Sequence, residues 1–197
     1  IFVIMVFLFT VVLSIKDIEI SHLLPMLTYD FSTIGSATLK LFIFPFAETV
    51  LFLTLADSIK KKDNPYKIYL YGIFLGTLLL AGTFLRNLMI LGNPMLEKSY
   101  FPAYMATRIL NIAEIFSRIE VTIFYNFLLA GITKISICLF ASIKGAEKLF
   151  NTSKNWKMMC FISLIVLLLS RLQFKNLFEM LSFIDIYQYY AVFFQII

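Results

Sequence analysis

The chain has 197 residues, of which 60% are hydrophobic and 15% are charged, with a mean hydropathy of +0.88 and a formal net charge of +5. A soluble domain is about a quarter charged and under half apolar, so this composition excludes one and predicts an integral membrane protein. Alternating strand patterns are absent, which favours a helical bundle over a barrel. Because the lysines lie mostly in short loops between apolar spans, the positive charge indicates membrane topology, and we expect no nucleic-acid partner.

The first predicted elements are a span at residues 1–15 and a polar connection at 16–40. The chain begins and stops inside apolar runs, which we interpret as a piece of a longer protein. His22, the only histidine, is expected to be an interfacial side chain. Since Cys138 and Cys160 match no metal-ligand spacing, we expect no metal site and no cofactor.

The span predicted at residues 38–57 carries a proline and a carboxylate within its apolar sequence, LKLFIFPFAETVLFLTLAD. Pro45 lacks a backbone donor and disfavours helix at Phe44, so the helix should break there. A break in hydrocarbon persists only where it lines a cavity or packs in protein, and Glu48 at that depth is a candidate functional residue. The alternative is a kink that only shapes packing, with Glu48 near a headgroup.

A lysine-rich turn at residues 58–67 leads to a span predicted at 66–90. Its Gly72, Gly76 and Gly82 are spaced to allow close helix packing in lipid. Arg86, near the far end, is expected to extend to the interface. Residues 101–113 are too short and too polar to cross, and predict an amphipathic helix at the outer side.

A long span predicted at residues 115–143 carries polar side chains at helical spacing. The stripe consists of Glu114, Arg118, Thr122, Asn126, Thr133 and Ser136. Residues three and four apart share a helix face, so the stripe should face the bundle or a water-filled cavity. Lys134 lies roughly 14 Å from the predicted inner end, beyond easy reach of the interface. Either it fills an ion or substrate site, or its side chain extends a long way to the interface or pairs with a carboxylate.

The remaining spans are predicted at residues 157–171 and 183–197, after a loop at 144–157. That loop and residues 58–67 each hold four lysines, whereas the alternate loops mix basic and acidic residues. The positive-inside rule therefore places both lysine-rich loops in the cytoplasm. The six spans form a single membrane domain over residues 1–197.

The order of these elements resembles spans five to ten of the LeuT-like inverted-repeat transporter fold, an all-α architecture of ten helices. More specifically, the chain resembles the spore germination permease family, the B subunit of nutrient germinant receptors, within the amino acid–polyamine–organocation superfamily. The similar stretches are LLPML at Leu23–Leu27, FPFAETVLFL at Phe44–Leu53, the glycine-containing third span, FPAYMATRILNIAEIFSRIE at Phe101–Glu120 and ITKISICLFASIKGAEKLFN at Ile132–Asn151.

The resemblance implies that four earlier spans are missing, including another broken helix that supplies half of the substrate site. The visible half would be the break at Phe44, Pro45 and Phe46, with Glu48 beyond it. Thr122 and Asn126 would add side chains from the long span. Exposed backbone groups and helix-end partial charges suit a zwitterionic amino acid, and Lys134 would stand in for a coupling ion.

The function implied by this resemblance is sensing of a small nutrient, such as an amino acid, in the inner membrane of a bacterial spore. Its partners would be a larger A subunit, a C lipoprotein and the lipid bilayer. Two alternatives stay open: an amino-acid permease with alternating access, and a structural or channel-forming subunit without a ligand site. The sequence contains no nucleophile–base pair or phosphate loop, so we do not expect an enzyme.

Overall fold

The computed structural model describes residues 2–25, 30–58, 64–109, 119–151 and 156–196. Every regular element in these ranges is helical, which confirms the predicted all-α polytopic class. The α-helices are α1 (Phe2–Ser14), α2 (Phe31–Leu41), α3 (Pro65–Lys98), α4 (Pro102–Ile109), α5 (Ile119–Leu149), α6 (Trp156–Gln173) and α7 (Leu177–Ile196).

Four segments of the described chain are long and apolar enough to cross a membrane. They are Phe31–Phe52, Pro65–Lys98, Val121–Leu149 and Trp156–Gln173. They correspond to the four central spans predicted from sequence. The helices α1 and α7, at the positions of the first and last predicted spans, are not among these four.

The chain divides into two compact units. One comprises Ile1–Thr28 and Asn64–Thr133, and the other comprises Tyr29–Asp63 and Lys134–Ile197.

In the first unit, α3 continues past the predicted end of its span and bends at Gly92. This glycine has φ +66° and ψ 166°, and Pro94 follows it two residues later. A positive φ suits glycine because it has no Cβ. The carbonyl of Met89, just before the bend, accepts the Glu19 amide at 3.1 Å, and this same carbonyl also receives a side-chain contact.

That side chain is His22, which lies in a 3-10 turn at Ile20–Leu23. Its Nδ1 is 2.8 Å from the Met89 carbonyl oxygen, and its Nε2 is 3.2 Å from Glu19 Oε2. Since a carbonyl oxygen only accepts, Nδ1 carries the proton in this contact. His22 therefore attaches the connection after α1 to the bend of α3. The sequence predicted only that it would be an interfacial side chain.

The core of this unit forms where α4 packs on the end of α3. Ile90, Leu91 and Ala106 are buried together, with Leu96 and Met105 packed against them. The helix α4 corresponds to the first part of the amphipathic helix predicted at residues 101–113, and residues 110–113 lie outside the described ranges. This packing covers one face of the last turns of α3.

The glycines predicted to let α3 pack closely differ in their surroundings. At Gly82, a Cβ atom would lie 2.8 Å from the ring of Phe7 in α1. At Gly72 and Gly76, a Cβ atom would meet no atom of the described chain within 4 Å. The close α1–α3 contact is therefore at Gly82.

In the second unit, α2 is followed by two helical segments of different pitch. A π-helical turn spans Phe42–Phe46, and a 3-10 helix continues over Ala47–Ser58. The helix α7 packs against both segments. A change of pitch inside a helix often marks a functional position, and here it surrounds the predicted break.

Candidate functional site

The helix break predicted at Phe44 is confirmed. Phe44 has φ −133° and ψ 117°, an extended conformation between helical residues. The cause is Pro45, which has no amide hydrogen and whose ring disfavours helix at the preceding residue. The Ala47 amide donates to the Phe42 carbonyl five residues earlier, and the hydroxyl of Thr49 donates to the Phe46 carbonyl at 2.5 Å. The first bond spans the break, and the second is a side-chain bond to the Phe46 carbonyl beyond it.

Glu48 lies one residue into the 3-10 helix and has a partner at each carboxylate oxygen. The ammonium nitrogen of Lys134 is 2.6 Å from Oε2, and the Tyr187 hydroxyl donates to Oε1 at 3.3 Å. The Glu48 side chain is 17% exposed and that of Lys134 is 53% exposed. The carboxylate is thus enclosed, whereas the lysine reaches it from a more open position.

Lys134 also contacts the residue that forms the break. Its Nζ lies 4.7 Å from the ring centroid of Phe44, within the range of a cation–π interaction. The extended conformation of Phe44 places its ring against the cation that pairs with Glu48. One ammonium group is therefore held by a carboxylate and an aromatic face, both from the broken helix.

The position of Lys134 along α5 explains why it needs these partners. It is the central residue of the helix Ile119–Leu149, fifteen residues from either end. At 1.5 Å per residue this is roughly 22 Å, well beyond the reach of a lysine side chain. An ionised side chain at the middle of a spanning helix is normally paired or faces a cavity. The described contacts show Lys134 paired with a carboxylate, which is one of the interpretations left open by the sequence.

Phe46 and Pro45 lie in the same π-helical turn as Phe44 and are half-buried. Together, Phe44, Pro45, Phe46, Glu48 and Lys134 belong to one unit, and the structure brings Phe44, Glu48 and Lys134 into direct contact. A role for any of them in ligand binding stays a prediction.

Thr122 and Asn126, the other two predicted binding residues, lie on the part of α5 that belongs to the first unit. Both side chains are half-buried. The Oδ1 atom of Asn126 is buried without a hydrogen-bond partner among the described residues. Buried polar atoms are normally paired, so this amide oxygen has capacity for a further donor. Glu114 and Arg118 of the same stripe lie outside the described ranges.

Two residues of interest escaped sequence reasoning. Tyr187, which binds Glu48, is one of ten tyrosines and carries no distinguishing signal in the sequence. Arg86 was expected to extend to the interface, and this is wrong, because its exposed fraction is 3%. It shares a face with Ile90, one turn along the helix, and that face is covered by α4 and the Ile20–Leu23 turn.

The guanidinium of Arg86 bonds to its neighbour in sequence. Nη2 donates to Asn87 Oδ1 at 2.7 Å, and Nε donates to the same oxygen at 3.3 Å. Within the described ranges, His, Cys, Asp and Glu side chains form no group of three that could hold a metal ion. The chemistry available in these residues is therefore that of hydrogen bonds, ion pairs and aromatic faces.

The described helices define a polytopic helical membrane protein with a broken span and an ion pair beside the break. The sequence model of the spore permease family, described as spore germination protein, matches residues 1–178. The chain belongs to this family.

A curated relative is similar over part of the chain. Spore germination protein KB of Bacillus subtilis (strain 168) is 24% identical over 126 residues, which cover 64% of this chain and 34% of the relative. The matched region thus spans about a third of the relative's length. No solved structure matches the chain.

Proposed function

We propose that this chain is the permease-like B subunit of a spore germinant receptor, and that it binds an amino-acid-type nutrient at the helix break around Phe44. Family membership supports a part in germination. The observation that carries the proposal of a site is the contact between Glu48, beside the break, and Lys134, at the centre of α5. Such a pair places charge where a spanning helix is interrupted, and interrupted helices form the substrate sites of many secondary transporters.

The mechanism requires the nutrient to favour one conformation of the bundle. A ligand shifts a conformational equilibrium only as far as its affinity differs between the two states. The break gives the segment Phe42–Ser58 a point at which it can change its angle, and the Lys134–Glu48 pair fixes this segment to α5. A nutrient that competes for either charge would alter that attachment, and partner subunits would detect the change.

The partners and the location belong to the same proposal. We infer an A subunit and a C lipoprotein as the receivers of the signal, in the inner membrane of the spore. The lysine-rich loops at residues 58–67 and 144–157 are proposed to face the cytoplasm, because positive loops are retained on that side.

The test is nutrient binding by the full-length protein in lipid nanodiscs with a panel of amino acids. Wild type is compared with Phe46→Ala and Glu48→Gln. We expect wild type to bind at least one amino acid and both variants to lose at least tenfold in affinity, the equivalent of about 1.4 kcal/mol.

The matched controls are Phe42→Ala and Glu97→Gln. Phe42 is an exposed aromatic residue of the same π-helical turn, and Glu97 is an exposed carboxylate near the end of α3. Both controls should bind as wild type does. Unchanged binding in Phe46→Ala and Glu48→Gln would mean that the break is a packing feature, as a structural subunit without a ligand site requires.

An uptake assay on the same proteoliposomes separates a sensor from a permease. A sensor binds the nutrient without accumulating it, whereas a permease with alternating access concentrates it when an ion gradient is imposed. Ion-driven accumulation by the protein alone would replace the sensing proposal with the permease alternative.

A further inference from the structure

The side chains around the Lys134 head group include two kinds of partner for an ammonium ion, a carboxylate and an aromatic ring. A primary ammonium has three donors and no acceptor. Here one donor direction is taken by Glu48 Oε2 at 2.6 Å, and the Phe44 ring lies 4.7 Å away on another side. The Tyr187 hydroxyl orients the carboxylate by donating to its second oxygen. We propose that Glu48, Tyr187 and Phe44 form a binding site for the primary ammonium of a small ligand, and that Lys134 is a tethered occupant which this ligand displaces.

The chemistry of the set favours an ammonium over a hard metal cation. Calcium requires six to eight oxygen ligands and magnesium an octahedral shell. Among the described residues, the side chains at this site offer one carboxylate, a phenol and an aromatic face. An aromatic ring and a carboxylate together are the partners that bind organic cations and lysine head groups.

The difference in exposure between the two charges decides which one moves. Glu48 is 17% exposed and is held by a second hydrogen bond, whereas Lys134 is 53% exposed. Lys134 can therefore leave by rotating its own long side chain, while the carboxylate stays in place. A ligand that carries the same head group then finds the same partners.

Displacement supplies the differential affinity that signalling needs. While Lys134 is bound, the segment after the break is attached to the centre of α5. A free ammonium on Glu48 removes that attachment, so it binds better to the state in which Lys134 has left. In this respect the inference rests on the proposed function, although the ammonium site can be tested without a nutrient.

The direct test uses Lys134→Ala in the full-length protein and propylammonium as the probe. This substitution deletes Cγ, Cδ, Cε and Nζ, which together have the composition of propylammonium. The thermal unfolding midpoint is measured at pH 8 with propylammonium chloride, and with 1-propanol or sodium chloride at the same concentration. We expect propylammonium alone to raise the midpoint of Lys134→Ala, because it neutralises the Glu48 charge that the substitution leaves without its lysine partner.

Three controls define the result. Wild type should show no extra response, because Lys134 fills the site, and Lys148→Ala should behave as wild type, because Lys148 is an exposed residue at the end of the same helix. In Lys134→Ala with Glu48→Gln the response should disappear. Equal responses in the single and the double variant would overturn the proposal. If Lys134→Ala does not assemble, the readout becomes the yield of assembled protein with and without propylammonium. A higher yield in the single variant alone supports the proposal, and an equal effect in both variants overturns it.

A second arm uses the nutrient itself. If Lys134 occupies the carboxylate nine-tenths of the time, the apparent affinity for a competing ammonium is about tenfold weaker than without it. Lys134→Ala should therefore bind ammonium-bearing nutrients about tenfold more tightly, and should not gain affinity for analogues that lack the amino group. Nutrient binding by wild type without a propylammonium response in Lys134→Ala would remove the ammonium site and leave the proposed function. A propylammonium response without nutrient binding would support the ammonium site and overturn the proposed function.

Discussion

The carboxylate of Glu48 and the ammonium of Lys134 are 2.6 Å apart, although 86 residues separate them in the sequence. The first follows a break in a spanning segment, and the second is the central residue of α5. The pair is therefore a long-range link between two elements that each carry an ionisable group into an apolar environment. Either charge without the other is unfavourable there, since removal of one partner leaves an uncompensated charge.

A double-mutant cycle should detect this dependence. We expect Glu48→Gln and Lys134→Met each to destabilise the protein, and the double variant to lose less than the sum of the two. The coupling should amount to roughly 0.5–3 kcal/mol, the range for residues in direct contact. Thermal or denaturant unfolding in nanodiscs measures it, and strict additivity would show that the pair contributes nothing to stability.

Tyr187→Phe tests the second contact of Glu48. The change removes the hydroxyl that donates at 3.3 Å and keeps the ring that lies 6.4 Å from the ring of Phe183. We expect a loss of about 0.5–1.5 kcal/mol in stability and weaker binding of ammonium-bearing ligands. Tyr189→Phe on the same helix is the control, because Tyr189 is 77% exposed. An equal effect of both substitutions would contradict a specific role for Tyr187.

Gly92→Ala should destabilise the first unit. At φ +66° an alanine is strained by about 1 kcal/mol or more, and its Cβ would meet the His22 ring at 3.4 Å. The control is Gly72→Ala on the same helix, where the added methyl meets no described atom within 4 Å. That change should be neutral or stabilising, because alanine favours helix over glycine by roughly 0.5–1 kcal/mol. Opposite signs in the unfolding midpoints are expected, and equal shifts would exclude a special conformation at Gly92.

The α1–α3 contact can be tested with a larger side chain at Gly82. Since even a Cβ would lie 2.8 Å from the Phe7 ring, Gly82→Ile should overpack the contact and lose about 1–3 kcal/mol. Gly76→Ile, in open surroundings on the same helix, should not. Combining Gly82→Ile with Phe7→Ala should recover part of the loss in unfolding midpoint. Purely additive losses would indicate that the two residues do not touch.

The sequence predicted the break because its cause is local. Pro45 acts on its immediate neighbour, so the extended conformation of Phe44 follows from two adjacent residues. That Lys134 lies far from the inner end of its helix could likewise be predicted, but α5 ends at Leu149 and not at residue 143, so the distance is roughly 22 Å instead of 14 Å. That Lys134 pairs with a carboxylate was one of two interpretations, but Glu48 was not identified as the partner. A contact across 86 residues depends on tertiary packing, which apolar periodicity does not encode.

Two other predictions from the sequence were wrong because they too depend on tertiary packing. Arg86 lies near the end of a predicted span, where an arginine usually reaches the interface. The structure buries it because the chain before and after α3 returns to cover that face. The span predicted at residues 66–90 was also too short, because α3 continues through its bend at Gly92 and ends at Lys98. The Met89 carbonyl at this bend is satisfied by Glu19 and His22, from a distant part of the chain.

The central place of Lys134 in α5 also has a consequence for how the protein is made. A lysine at the middle of a helix adds about 2.5–3.5 kcal/mol to its insertion through the translocon. The ribosome completes Glu48 before Lys134, and at about 5–20 residues per second the intervening 86 residues take roughly 4–17 s. The carboxylate is thus already in the membrane when α5 arrives and can receive its charge. Loss of Glu48 would then hinder the insertion of α5, although α5 is synthesised after the segment that carries Glu48.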